Sequence, residues 1–253
     1  MPLDDLHQDV AAVALGAAAE HGFALGGGNA LIAHGIISRP TEDVDLFTDH
    51  ERGVEAAAGA VEAALRGAGY GTERQDKTGG LADVFYGMGQ GLAEWMITAP
   101  GGRQMTLQMA YFERVNEPVL MEFGPVLDLE DALAGKTAAL ASRAYERDYA
   151  DVAAAVDRGY TVDELIGLAR RLDPGLEAED FTDAGRRLDQ MSDRRFAAAG
   201  ISPEEAAKVR DRLAEWPREA PQHDPGPGNG PEAGLPGPGW EPEPPDGGFE
   251  AGQ

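Results

Sequence analysis

The chain has 253 residues, 42% of them hydrophobic, enough for one or two domains with a sizeable core. A formal net charge of −24 argues against a general nucleic-acid coat protein, because an acidic surface repels a polyanion. Having no cysteine, it excludes disulfides, thiolate metal sites and a cysteine nucleophile.

Leu3 to Glu20 reads as an opening amphipathic helix. Asp4, Asp5 and Asp9 stand where an export signal would carry basic residues, so a cytoplasmic location is expected. Charged residues interrupt the alanine-rich stretches throughout, and no membrane span is expected. Next, Phe23-Ala24-Leu25 runs into three glycines and then Asn29-Ala30-Leu31-Ile32-Ala33-His34, the pattern of strand, tight turn and helix. Glycines there permit positive φ and close approach of a ligand, and the helix start offers unpaired N–H groups suited to phosphate.

Asp43-Val44-Asp45-Leu46-Phe47 alternates polar and apolar residues, as a half-buried strand does, which puts Asp43 and Asp45 on one face. Two hard carboxylates facing a phosphate cradle suit Mg²⁺ (or Mn²⁺), whose shell substrate phosphates and water complete. Thr41, at the start of that strand, is placed to orient the carboxylates. A crossover helix is expected over Val54 to Gly67, and strands around Leu81 to Tyr86, Glu94 to Thr98, Gln104 to Phe112 and Val119 to Phe123. Ala99-Pro100-Gly101-Gly102 marks a turn between two of them.

From Leu129 the pattern becomes helical, with Asp128 or Asp131 as cap, and one helix or two in sequence fill the stretch to Val156. At about 100° per residue Lys136, Leu140, Arg143 and Arg147 share a face, with Asp151 about 60° away and Asp148 on the flank. Such a stripe would neutralise a triphosphate and its leaving group. The structural alternative is a solvated face laced by Arg143–Glu146 and Arg147–Asp151 pairs. Further helices are expected over Thr161 to Arg171, Ala178 to Asp189 and Ser202 to Glu215, with Thr161 and Ser202 as caps. Beyond Trp216 the composition turns to Pro, Gly and Glu, and a disordered tail is expected. That tail carries −6 of the charge and leaves −18 on the body. Trp240 and Phe249 are read there as inert aromatics, and the five histidines show no metal-ligand spacing.

Taken together, these residues resemble the AbiEii/AbiGii-type nucleotidyltransferases of the DNA polymerase β-like superfamily, which include toxins of toxin–antitoxin systems such as the MenT group. The resemblance covers about residues 20 to 157. It rests on Gly27-Gly28-Asn29-Ala30-Leu31, on Arg39-x-Thr41-x-Asp43-x-Asp45-Leu46-Phe47, and on Lys136-x-x-Ala139-Leu140-x-x-Arg143-x-x-x-Arg147-Asp148-x-x-Asp151-Val152. It implies an α/β (α+β) fold with a minimal mixed sheet, flanking helices and a helical C-terminal half. The expected divisions are residues 1–126, 127–216 and a tail of 217–253.

The implied reaction moves an NMP from an NTP to an acceptor hydroxyl such as a tRNA 3′ end or another RNA, with a cognate antitoxin protein as partner and no membrane. Asp43, Asp45, Lys136 and Asp148 would be catalytic, with Asp43 and Asp45 on the metal. Gly27, Gly28, Asn29, Arg39, Thr41, Lys136, Arg143 and Asp151 would hold the nucleotide. One departure stands out: Gln108 occupies the place of a third carboxylate, leaving Asp148, Asp151, Asp83 or Glu113 as candidates for that duty. A catalytically silent nucleotide- or protein-binding module and a small-molecule nucleotidyltransferase are the alternative readings.

Overall fold

Along Asp43–Thr48 (strand β2) half-exposed and buried positions alternate, so Val44, Leu46 and Thr48 enter the core while Asp43, Asp45 and Phe47 face the other way. The computed structural model describes residues 4–75 and 91–219, within a compact unit spanning Met1–Ala220. The strand expected over 81–86, Asp83, His223, Trp240, Phe249 and the tail from residue 220 lie outside the described residues.

Helix α1 (Asp5–Ala17) starts where the Asp4 side chain accepts a hydrogen bond from the Leu6 amide. A short 3₁₀ turn leads to β1 (Ala24–Leu25), α2 (Gly27–Ala33), β2 and the crossover helix α3 (Gly53–Gly67). Strands β3 (Gly71–Arg74), β4 (Leu92–Thr98), β5 (Gln104–Tyr111), β6 (Val119–Met121) and β7 (Gly124–Val126) complete the sheet. Its order is β3-β4-β5-β2-β1-β7-β6, mixed, with β2 parallel to β5, β1 parallel to β7 and the other pairs antiparallel. Helices α1 and α3 pack on each other and against the sheet.

Two strands escape the sequence pattern. Gly71-Thr72-Glu73-Arg74 has no apolar alternation because β3 is an edge strand with little to bury. The segment expected as one strand over Val119 to Phe123 is the first arm and turn of a hairpin, whose residues 122–123 reverse the chain and whose second arm opens at Gly124 with φ +127°.

The helical half comprises α4 (Leu129–Ser142), α5 (Glu146–Asp157), α6 (Val162–Leu172), α7 (Ala178–Gln190), α8 (Asp193–Ala198) and α9 (Pro203–Arg212). Asp128 caps α4, while Asp131 is buried and accepts from the amides of Val115 and Asn116. Thr161 and Ser202 form capping boxes as expected. The long helical stretch is two helices, broken at Ala144, whose φ is +54°. That break corrects the single basic stripe, since Arg147 lies on a different helix from Lys136.

Trp216 closes this half. Its ring lies 6.2 Å from Phe181 and its indole N–H donates to the Phe181 carbonyl at 2.8 Å, while a Cβ on Gly185 would meet the Pro217 carbonyl oxygen at 2.0 Å. Trp216→Ala is expected to cost about 3 kcal/mol, from lost burial and an orphaned carbonyl, read as a lower urea midpoint. No helix among the described residues is long and apolar enough to cross a membrane.

Candidate active site

The turn after β1 is built for close approach. Gly27 has φ +57°, and a Cβ there would sit 1.8 Å from Asp45 Oδ2. A Cβ on Gly26 would meet the Phe47 ring at 2.1 Å, and one on Gly28 the Thr41 methyl at 2.6 Å. Three consecutive glycines thus let the start of α2 abut β2, and the Gly26 amide donates to the Asp45 carbonyl at 2.8 Å. Because α2 has only 7 residues, this contact matters more than any helix dipole.

Asn29 and Thr41 are brought to this seam and engage each other. Buried Asn29 donates from Nδ2 to the Asp43 carbonyl at 2.7 Å and accepts from Thr41 Oγ1 at 2.5 Å. Both side chains brace the backbone behind the carboxylates. His34 has a similar structural bond, its Nε2 lying 2.8 Å from the Leu127 carbonyl.

The cations arrive from three elements, and each is anchored. Asp151 on α5, with a fully buried side chain, accepts from Arg39 Nε at 2.9 Å and Nη2 at 2.8 Å and pairs with Lys136 Nζ at 3.0 Å. Asp148, nearly as buried, takes Arg143 in a bidentate pair at 2.9 and 3.0 Å, and the Arg143 guanidinium lies 5.1 Å from the Tyr145 ring. Arg147 reaches Glu42 at 2.5 Å. Neither the Arg143–Glu146 nor the Arg147–Asp151 pair of the alternative reading forms among the described residues: the turn at Ala144 leaves Arg143 with Asp148, Asp151 is taken by Arg39 and Lys136, and Glu146 pairs with Arg195.

Burial by itself would lower the Lys136 pKa, but the charges of Asp151, Asp148 and Asp45 outweigh it and hold the ammonium above its ordinary range. Asp151→Ala would strand two cations in the cleft wall. Its expected cost is about 3 kcal/mol in chemical denaturation, more than for exposed pairs such as Lys208–Glu204.

Asp43 and Asp45 line a cleft of about 630 Å³ with Gly27, Gly28, Arg39, Lys136 and Arg143. The Asp45 carboxyl lies on the cleft floor, partly reached by solvent yet hemmed in by protein. Burial, then the neighbouring Asp43 charge, pushes its pKa up from 3.8 to about 7, against the pull of Lys136 and Arg143. Two carboxylates held on one face at such electrostatic cost fit a divalent cation that relieves the repulsion. No group of three or more His, Cys, Asp or Glu side chains placed to hold a metal ion occurs among the described residues.

One residue at this site was not anticipated. Glu94 on β4 is buried and pairs across strands with Gln108, which in turn pairs with Asp45. The three residues form a row on one sheet face, and Glu94 is among the charges felt by Asp45. The signal was in Leu92–Thr98, where one acid sits in an apolar strand. Glu113, named as an alternative acid, is exposed.

A family model described as "Nucleotidyl transferase AbiEii toxin, Type IV TA system" matches residues 12–225. No curated protein gives a significant match. Among solved structures, JHP933 from Helicobacter pylori has a TM-score of 0.53 at 15% identity, with 84% of this chain and 92% of that one covered. MenT4, the nucleotidyltransferase toxin Rv2826c from Mycobacterium tuberculosis H37Rv, has a TM-score of 0.52 at 17% identity, with 83% of this chain and 82% of that one covered. At these identities the structural likeness is one of fold.

Proposed function

The chain is a nucleotidyltransferase of the AbiEii toxin family, and from that premise we propose that it moves a nucleoside monophosphate from an NTP to the terminal hydroxyl of an RNA, with tRNA the first candidate. The acceptor oxygen forms a bond to the α-phosphorus, the bond to the bridging α–β oxygen breaks, pyrophosphate leaves, and the hydroxyl proton passes to the carboxylate cluster. Asp43 and Asp45 would hold Mg²⁺ or Mn²⁺, which supplies charge neutralisation at the phosphates and lowers the pKa of the acceptor hydroxyl. Lys136 and Arg143 face the charge that develops on the leaving pyrophosphate. Gly27 and Gly28 leave room for phosphate oxygens against the backbone. Asp148 and Asp151 serve by holding Arg143, Arg39 and Lys136 in place, so they act through those cations.

The observation that carries this reading is the convergence of Asp43, Asp45, Lys136 and Arg143 on one cleft beside a left-handed Gly27. The body of the chain is acidic, and Arg39, Lys136, Arg143 and Arg147 are each paired with a carboxylate. The cleft therefore favours a triphosphate that arrives with its cation, and an acceptor that presents only its tip. In biological terms the proposal is a toxin acting in the cytoplasm and opposed by a cognate antitoxin protein.

The test is incubation of the purified protein with Mg²⁺, labelled NTPs and total bacterial RNA, beside an Asp43→Ala control. Label in RNA only with the intact protein supports the proposal. Nucleotide binding without incorporation, or label in a small acceptor instead, overturns the RNA transfer reading.

A further inference from the structure

Gln108 stands where two carboxylates would face a third, and its surroundings say what an amide does there. In the sheet register Asp45 is opposite Gln108, and Gln108 is opposite Glu94, across three adjacent strands. Paired residues point to the same face, so the amide lies between two acids. A third carboxylate in that position would stack like charges at neighbouring-strand spacing, about 5 Å apart. The amide avoids this repulsion.

Its orientation is dictated. Gln108 Nε2 donates to Glu94 Oε2 at 2.7 Å. A carboxylate only accepts, so the amide nitrogen must face Glu94 and the carbonyl oxygen must face away. That oxygen, Oε1, is buried and has no hydrogen-bond partner among the described residues. Gln108 also lines the cleft together with Asp43 and Asp45. A buried amide oxygen without a partner is costly unless something supplies positive charge or a proton to it. It is also a hard, neutral oxygen of the kind that divalent cations accept.

Building on the nucleotidyl-transfer reading, we propose that Gln108 provides a third, uncharged oxygen ligand for the divalent cation, and that Glu94 is the positioning residue that turns this oxygen into the cleft. The acid stands one strand further out, on β4, and acts on the site through the amide it holds. The site gains an oxygen without gaining a charge.

The test is a titration of the full-length protein with Mn²⁺ in the absence of nucleotide, following free Mn²⁺ by electron paramagnetic resonance. Gln108→Met keeps the volume and removes the oxygen, and is expected to weaken Mn²⁺ binding about tenfold. Glu94→Gln leaves the oxygen but no longer dictates its direction, since an amide at 94 both donates and accepts; a loss of about threefold is expected, at the mild end for an orienting partner. Asp43→Ala is expected to abolish binding. Unchanged affinity in Gln108→Met with loss in Asp43→Ala overturns the inference and leaves the carboxylate pair standing. Retention of Mn²⁺ by Asp43→Ala overturns the carboxylate reading itself. Thermal melting without metal verifies that each variant folds. Should Gln108→Met fail there, Gln108→Asn, which draws the oxygen back by one methylene, takes its place with the same expected and overturning results.

Discussion

Asp45→Asn is expected to lower nucleotidyl transfer by about 10³-fold or more and, at the same time, to make the metal-free protein more stable than the parent at pH 8. The two effects share a cause. The Asp45 carboxyl is held at about 7, against an ordinary 3.8, by burial and by the charge of Asp43. Between those values the folded state binds more protons than the unfolded one, so stability falls as pH rises through that window, and the deficit is complete above about 7. An asparagine carries no such penalty. The gap between variant and parent opens from about pH 4 to 7 and closes in acid. Allowing for the partial exposure of Asp45, it is on the order of 1–3 kcal/mol.

Adding Mg²⁺ narrows the gap from the parent's side, because only the parent keeps both carboxylates for the ion. Urea unfolding at pH 5 and pH 8, with and without Mg²⁺, reads all of this. A variant no more stable than the parent at pH 8, or one that still transfers label at near-parental rate, contradicts the account. On the proposed reading, the arrangement gives up stability for function, with repulsion stored where the cation would be held.

Gly27→Ala is the second large effect, expected at about 10²- to 10³-fold in transfer with a stability loss of only about 1–2 kcal/mol. The backbone at Gly27 has φ +57°, a region that costs an L side chain strain, and the added methyl would overlap Asp45 Oδ2 at 1.8 Å. The carboxylate is the movable party. It would swing out of line with Asp43, and the fold would survive while the site would not. Gly35→Ala supplies the control, since Gly35 also has positive φ, +73°, but nothing lies within 4 Å of its Cβ. That variant should show the backbone strain and keep its transfer rate. Equal losses in the two variants would mean that strain alone, and not the contact with Asp45, explains the effect.

Much of the site is legible along the chain because its pieces are local. The period-two pattern of residues 43–47 placed both aspartates on one face, and the structure has them there. The glycine run announced a turn, though its particular reason, contact with Phe47, Asp45 and Thr41, needs the partner strand to be seen. The helical stretch was recognised but its geometry was not, because a single left-handed residue, Ala144, breaks it and no glycine or proline marks the spot. Once broken, the charge pairs were reassigned over long range: Arg39 reaches Asp151 across 112 positions and Arg147 reaches Glu42 across 105. Glu94 was overlooked for a related reason. Its relevance comes from strand order, which puts β4 next to β5 and β5 next to β2.

Sequence alone determined the pieces of the candidate site: a glycine turn, two carboxylates in alternation and a later run of Lys, Arg and Asp, each encoded within a few residues by backbone periodicity and turn propensity. Tertiary structure decided which charge neutralises which, where the helix ends, and that an amide held by a buried acid lies between that acid and Asp45. Those choices depend on pairings between distant segments, whose energies come from burial and short-range contact, and so they exist only once the sheet and the helices have closed on one another.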